Sequence, residues 1–271
     1  MKLQNKNIIL TGASGGIGAE TARQLAHENA NVILVGRNAE ALNKVFESLP
    51  SNVPSSNELS SEGLSHQVIV ADLATLAGRQ CVLRSAYDAD ALINMAGINQ
   101  LSLLTQMSDQ QLVDMISFNL TMPMLLTKEI LPILKAKPEA ALINVGSILG
   151  SIGMPGSVAY CASKFGLRGF TESLRRELAD TNIAISYIAP RATETAMNTN
   201  SANALNKELG NGVDTPQKIA EIIVAALKSS SPVRKYIGWP EKLFVRVNAL
   251  FPSIVDGSLI KPLAIIKKHT K

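Results

Sequence analysis

The feature that most restricts the fold is a short apolar run, Asn7–Leu10, that meets Thr11-Gly12-Ala13-Ser14-Gly15-Gly16-Ile17-Gly18 and passes into a helical pattern over Ala19–Asn29. Strand, glycine-rich turn and helix start in that order form a phosphate cradle. Residues without Cβ let the backbone approach an anion, and the free N–H groups of the helix start point at it. Such a unit commits the chain to an α/β layout. Further apolar runs over Asn31–Val35, Gln67–Val70, Ala91–Asn94, Ala141–Val145, Asn182–Ile188 and Arg234–Ile237 read as strands. Between them lie helical patterns over Ala39–Leu49, Asp109–Ile133, the segment containing Tyr160 and Lys164, and Gln217–Ser229, which Thr215-Pro216 starts. Aromatic residues make up only 4% of a chain that is 46% apolar, so the core is built of Val, Ile, Leu and Ala, the usual material of parallel strands covered by helices. At 271 residues the chain suits one domain over residues 1–238, followed by an apolar and basic extension over 239–271.

The chemistry points to the stretch Val145–Phe170. Tyr160 and Lys164 stand at i and i+4, which on a helix stacks both side chains on one face. Ser147 lies thirteen residues before Tyr160, at the end of the Ala141–Val145 run, so the hydroxyl, the phenol and the ammonium can converge. That trio suits proton transfer at a carbinol oxygen while a hydride moves at its carbon. A free tyrosine has a pKa of about 10, too high for a base near neutrality. A neighbouring ammonium is expected to lower it, making Tyr160 the general acid or base, with Ser147 bonded to the substrate oxygen. Asn119 is a polar residue inside the apolar helical pattern Asp109–Ile133, and an exposed or backbone-bonded Asn that bends the helix is an equal reading.

For the dinucleotide that the cradle implies, the second strand ends in Gly36-Arg37-Asn38 with no acid to grip the ribose hydroxyls. Arg37 offers a guanidinium to a 2′-phosphate, and can also stack on adenine, so NADP(H) is expected rather than NAD(H). Asp72, followed by Leu73 at the third strand's end, could bond the adenine amino group or cap a helix. The turn Asn94-Met95-Ala96-Gly97 leaves room for a ribose. After the sixth strand, Thr193 and Thr195 are positioned for the nicotinamide carboxamide, or for a turn and a helix cap.

Other classes are set aside. Cys81 and Cys161 form no spaced motif, and His27, His66 and His269 are scattered, so neither a metal site nor a Ser-His-Asp triad is expected. The net charge of +4 is uneven: residues 232–271 hold eight Lys/Arg against two acids, which leaves the main body close to neutral and without a nucleic-acid groove. The run Ile8–Leu10 is too short for a signal peptide or a spanning helix, and a cytosolic protein is expected. Residues 50–66 read as a surface excursion without chemistry, and 196–212 as a weakly helical substrate lid. Ala162, Gly166 and Gly169, off the Tyr160/Lys164 face, suit close packing of a partner helix in a homodimer. The extension 239–271 reads as a pair of helices closing the pocket or a subunit face. It also reads as an amphipathic segment on an anionic membrane, or as greasy walls for a long-chain substrate.

With Gly12 through Gly18, Asp72-Leu73, Asn94 through Gly97, Asn119, Gly146-Ser147, Tyr160-Cys-Ala-Ser-Lys164 and Pro190 through Thr195 in this order, the chain resembles the short-chain dehydrogenase/reductase family over roughly residues 5–238. The resemblance implies a three-layer, doubly wound Rossmann fold with a seven-stranded parallel sheet and an Asn119–Ser147–Tyr160–Lys164 tetrad. It also implies hydride transfer between a nicotinamide and a carbonyl or carbinol carbon. By it, Tyr160 is the acid/base, Ser147 positions the oxygen, Lys164 holds the nicotinamide ribose, and Asn119 anchors the water of a proton relay. The cofactor contacts it implies are Gly12, Ser14, Gly15, Gly16, Ile17, Gly18, Arg37, Asp72, Leu73, Asn94, Ala96, Gly97, Pro190, Thr193 and Thr195, together with Tyr160 and Lys164. Gly15 stands where some NADP-using members are basic, so that preference rests on Arg37. Arg191 replaces the usual Gly and Met95 the usual small polar residue. The expected activity is an NADP(H)-dependent carbonyl reductase or alcohol dehydrogenase working on a small molecule and assembled as a dimer or tetramer. A 3-oxoacyl thioester reductase is the narrower alternative, and a non-catalytic NADP-binding scaffold or sensor the remote one.

Overall fold

The computed structural model describes residues 1–50, 65–195, 197–229 and 231–270. Seven strands form one sheet in the order β3-β2-β1-β4-β5-β6-β7: β1 Asn7–Thr11, β2 Asn31–Gly36, β3 Gln67–Val70, β4 Ala91–Asn94, β5 Ala140–Val145, β6 Ile183–Ala189 and β7 Arg234–Tyr236. Every pairing is parallel, with Ile9 opposite Ile33 and Leu92 on the inner strands. Buried on both faces, the inner strands read as continuous apolar runs, and their side chains divide by alternation. Ile8, Leu10, Val32 and Leu34 pack with α1 (Gly16–His27), α2 (Ala39–Glu47) and α8 (Pro216–Lys228). Ile9, Ile33, Val35 and Leu92 pack with α3 (Leu76–Ser85), α5 (Met122–Lys135) and α6 (Val158–Glu177) on the opposite face. Where β1 and β4 lie side by side the connections run in opposite directions, and the crevice beyond their carboxyl ends is where such sheets bind ligands.

The expected helix Asp109–Ile133 is in fact α4 (Asp109–Ile116), a wide π-type turn over Ser117–Thr121, and α5. The turn holds Asn119, which is buried rather than exposed and is bonded to the Ile98 backbone, the backbone-bonded alternative. Helix α3 has no apolar periodicity in sequence and was not expected; Thr75 caps it by accepting a hydrogen bond from the Gly78 N–H. Gly166 faces inward, since a Cβ there would meet Leu120 of the same chain at 2.6 Å, while Ala162 and Gly169 are exposed. The lid segment folds as α7 (Asn200–Glu208), capped by Thr199. The excursion expected over 50–66 lies mostly outside the described residues.

The extension forms three helices rather than two, α9 (Glu241–Leu250), α10 (Pro252–Ile260) and α11 (Leu263–His269), because Pro252 and Pro262 each open a new one. Val245 and Val255 pack on Ile148 and Ile152 beside the end of β5, and α11 lies against α7. No helix among the described residues is long and apolar enough to cross a membrane.

Candidate active site

Gly12 follows β1 with φ +70°, a backbone state that disfavours side chains, and a Cβ there would lie 2.9 Å from the Ala96 backbone. The β1 and β4 turns are therefore in backbone contact. Thr11 ties them further: its hydroxyl donates to the Ile93 carbonyl and accepts from the Met95 and Ala96 N–H groups at 3.0 and 3.2 Å. Helix α1 opens at Gly16 with Gly15 as its N-cap, which supplies no capping oxygen, and its first turn holds no acid. The first-turn N–H groups are left for an anion.

A cavity of ≈ 690 Å³ runs from this turn to the catalytic candidates. Gly12, Ser14, Gly15, Gly16, Ile17 and Gly18 line it together with Ser147, Tyr160 and Lys164. Gly97, Pro190, Thr193 and Thr195 also border it. The side chain of Asn99, on its wall, holds the one buried side-chain oxygen without a partner among the described residues, an acceptor poised for a polar ligand. A glycine cradle and an uncapped helix start on the wall of one cavity fit a dinucleotide.

Ser147 caps the short turn Ile148–Gly150, its Oγ accepting from the Leu149 N–H at 3.1 Å. Beneath it the Tyr187 hydroxyl donates to the Ser147 carbonyl at 3.4 Å, a support that sequence reading missed because Tyr187 lies inside β6. Ser147 lies beside Tyr160 and acts to lower the pKa of its phenol. Lys164, 5% exposed, donates to the Val145 carbonyl at 3.3 Å, and its Nζ lies 5.8 Å from the Tyr160 ring centroid. The expected acidified phenol is overturned. Burial pushes Tyr160 up to about 12, against a smaller lowering by Ser147, and burial pushes Lys164 down to about 8. Desolvation opposes charge on both groups.

Asn119 is drawn to this centre by its neighbours. Its Oδ1 accepts from the Ile98 N–H at 2.8 Å, and its Nδ2 donates to the Ile98 carbonyl and Ser163 Oγ at 2.9 and 3.1 Å. The side-chain amide thus clamps the turn after β4.

Asn94, Asp72, Leu73, Ala96 and Arg37, also expected at the cofactor, are not on the cavity wall. The Asn94 amide, expected near a ribose, is buried and donates to Thr127 and Asn144, because Asn94 and Asn144 are register partners on adjacent strands. Asp72 does not cap α3, whose cap is Thr75; its Oδ1 accepts from the Ala74 N–H at 3.1 Å in the turn before the helix. Leu73 is a core residue, and Ala96 packs on the same cluster. Arg37 is exposed beyond β2, its guanidinium 4.7 Å from the Phe118 ring centroid. Thr193 donates to the Arg191 carbonyl and pairs with Asp214, the turn reading of that residue.

Arg191 lines the cavity, and its guanidinium is held by acids. Its guanidinium donates to both Asp214 oxygens at 3.0 and 3.3 Å, to Glu241 at 3.2 Å, and to the Trp239 carbonyl at 3.2 Å. Burial would raise the Asp214 carboxyl, but hydrogen bonds from Arg191 and Lys218 hold it below its ordinary value. The residue that breaks the expected glycine pattern ties the loop after β6 to α9.

The cavity is also lined by the apolar residues Ile152, Leu205, Phe244, Val255, Leu259 and Ile266, with Asn206, Asn211 and Glu241 among them. Of these, α7 showed only a weak periodic signal and the extension an undirected one. The arrangement as a whole can hold an oxygen substituent between Ser147 and Tyr160 with an apolar body extending under α7, α9 and α10.

A sequence profile described as short chain dehydrogenase matches residues 6–206. The chain is 35% identical over 214 residues to nodulation protein G of Rhizobium meliloti (strain 1021), covering 76% of this chain and 80% of that protein. It is 33% identical over 241 residues to the 3-oxoacyl-[acyl-carrier-protein] reductase FabG of Chlamydia muridarum (strain MoPn / Nigg), covering 87% and 94%. It is 28% identical over 267 residues to the ketoacyl reductase HetN of Nostoc sp. (strain PCC 7120 / SAG 25.82 / UTEX 2576), covering 94% and 88%. A solved structure described as a short chain dehydrogenase/reductase family protein superposes with TM-score 0.71 at 21% identity, covering 86% of this chain and 97% of that one, a likeness of fold.

Proposed function

The chain belongs to the short-chain dehydrogenase family, whose members bind a nicotinamide cofactor and act as oxidoreductases on CH–OH and keto groups, and from that premise we propose that it is an NADP(H)-dependent reductase of a small carbonyl compound. One observation carries the reading: Ser147, Tyr160 and Lys164 line the same cavity as the Gly12–Gly18 turn. When bound, the nicotinamide supplies the hydride. The Ser147 hydroxyl donates a hydrogen bond to the carbonyl oxygen, polarising it and fixing its position. Tyr160, kept as a phenol by burial, gives its proton to that oxygen, which favours reduction over oxidation near neutrality. Lys164 places its positive charge by the phenolate so formed, and Asn119 is a positioning residue that holds the Ile98 turn. N–H groups of the Gly12–Gly18 turn would hold the pyrophosphate.

The test is turnover by purified protein with NADPH on a panel of aldehydes, ketones and 3-oxoacyl thioesters. Reduction of none of them overturns the proposal. The 3-oxoacyl thioester reading is favoured by the names of the similar proteins FabG and HetN and by the apolar residues on the cavity wall, and activity on acetoacetyl thioesters separates it from a general ketone reductase.

Arg37 supports NADP(H) over NAD(H), since it is exposed at the end of β2 where no acid stands. Arg37→Gln lowers the NADPH-over-NADH ratio of kcat/KM by about 10- to 100-fold, the worth of a charge-assisted contact to the 2′-phosphate. An unchanged ratio removes Arg37 from the phosphate site. A homo-oligomer, dimer or tetramer, and a cytoplasmic location belong to the same proposal. Val113, Val158 and Phe165 are exposed apolar residues on α4 and α6, with Ala162 and Gly169 exposed beside the latter two. Light scattering that reads a monomer mass, or cell fractionation that leaves the protein outside the cytoplasm, would remove the corresponding part.

A further inference from the structure

The helices of the extension bury one side and expose the other. Val245 of α9 and Val255 of α10 pack inward, and Phe244, Leu259 and Ile266 wall the cavity. On the outer side stand large apolar residues. Trp239 is 64% exposed, Leu250 73%, Phe251 58%, Ile254 63% and Ile260 61%, with Leu243 also exposed. Along α9, Leu243, Arg246 and Leu250 recur at i, i+3 and i+7, one stripe of a helix. On α10, Ile254, Gly257 and Lys261 repeat that spacing. Lys242, Arg246 and Lys261 are exposed among them, and Lys242 lies 5.5 Å from the Trp239 ring centroid. Of the two acids in the extension, Glu241 is taken by Arg191, leaving Asp256 on the outside.

Isolated exposed apolar side chains are ordinary on a protein surface; a run of them on two packed helices, interleaved with lysine and arginine, is not. We propose that this outer face of α9 and α10 docks on an anionic lipid bilayer. Tryptophan and phenylalanine suit the headgroup boundary, the leucines and isoleucines reach below it, and the cations meet lipid phosphates. Charge favours lipid as the occupant, since the face carries Lys242, Arg246 and Lys261 against the single exposed acid Asp256. The same helices line the cavity, and Phe244 belongs to both the wall and the exposed surface. Taken together with the proposed carbonyl reduction, on which this clause rests, the bilayer is the source of an apolar carbonyl substrate that enters under α9 and α10.

The full chain is tested by flotation with vesicles of phosphatidylcholine containing about one-third phosphatidylglycerol, and with phosphatidylcholine alone. Binding to the anionic vesicles, weaker by about tenfold without the anionic lipid and in about 0.5 M salt, is the expected result. The double variant Leu250→Glu/Ile254→Glu, at exposed positions outside the cavity wall, is expected to lose about tenfold or more of that binding. It keeps its oligomeric mass and its turnover of a short water-soluble ketone. Wild-type turnover of a long-chain ketone rises on adding anionic vesicles, and the variant loses that rise. No flotation, or flotation that the double variant leaves unchanged, overturns the docking surface. A change of oligomeric mass in the variant without vesicles assigns the face to a protein contact instead. Vesicle binding without turnover of any ketone removes the reductase reading and leaves docking in place, whereas turnover without a vesicle-dependent rise removes only the entry route.

Discussion

Tyr160→Phe is expected to lower kcat for carbonyl reduction by about 10³-fold or more while leaving NADPH affinity within about threefold. Phenylalanine keeps the ring that packs beside Lys164 and removes only the oxygen, so the loss reads proton donation rather than the shape of the cavity. Because burial holds the phenol up to about 12, the proton donor is fully loaded at every pH where the protein is assayed for reduction. The reverse reaction needs the phenolate, whose fraction rises about tenfold per pH unit below that value, so carbinol oxidation climbs steadily with pH and reduction does not. Stopped-flow measurement of the hydride step in both directions from about pH 6 to pH 10 checks both slopes. A Phe variant that still reduces substrate at a comparable rate would take the acid role from Tyr160.

What could be read from the letters, and what could not, follows from the range of the forces involved. The inner strands were legible because burial on both faces makes them uniformly apolar, as in Ala140–Val145. The glycine turn was legible because its backbone must approach its neighbours closely. Helix α3 was not, since Gly78, Arg79 and Gln80 interrupt any apolar stripe and Arg79 is buried through its pairing with Glu129 on α5 and its bonds to the Leu73 and Ala74 carbonyls. The π-type turn is fixed by Asn119 gripping Ile98 and Ser163, partners 21 and 44 residues away. The bond from the Asn94 side chain to Asn144 could not be read because nothing in its turn announces a register match on the next strand. The meaning of Arg191 came from Asp214 and Glu241, 23 and 50 residues distant. For the Tyr160–Lys164 pair, spacing supplied the contact and its sign, but the penalty of removing both groups from water depends on the elements that cover them.

That penalty makes Lys164→Met the second large expectation, since it should abolish activity and strengthen the fold together. Lys164 has its pKa lowered from 10.5 to about 8 by burial, so below pH 8 the folded protein holds an ammonium that the unfolded chain would solvate better. At 1.36 kcal/mol per pKa unit this costs about 3 kcal/mol. Methionine matches the lysine stem in length and carries no charge, so at pH 7 the variant is expected to be more stable by about 1 to 3 kcal/mol, while turnover falls by about 10² or more because the phenolate left by Tyr160 loses its cation. The pH dependence has a definite sign. Between pH 8 and 10.5 the unfolded chain binds the proton that the folded one has released, so wild-type stability rises with pH relative to the variant and the gap closes. Tyr160 acts oppositely in both proteins, weakening the fold only above pH 10, where the unfolded tyrosine ionises first. Urea unfolding at pH 7 and at about pH 10, with unchanged m-values, reads the gap directly. A variant less stable than wild type at pH 7 would mean that the bond from Lys164 to the Val145 carbonyl outweighs desolvation, and the lowered lysine pKa would then have to be abandoned with it.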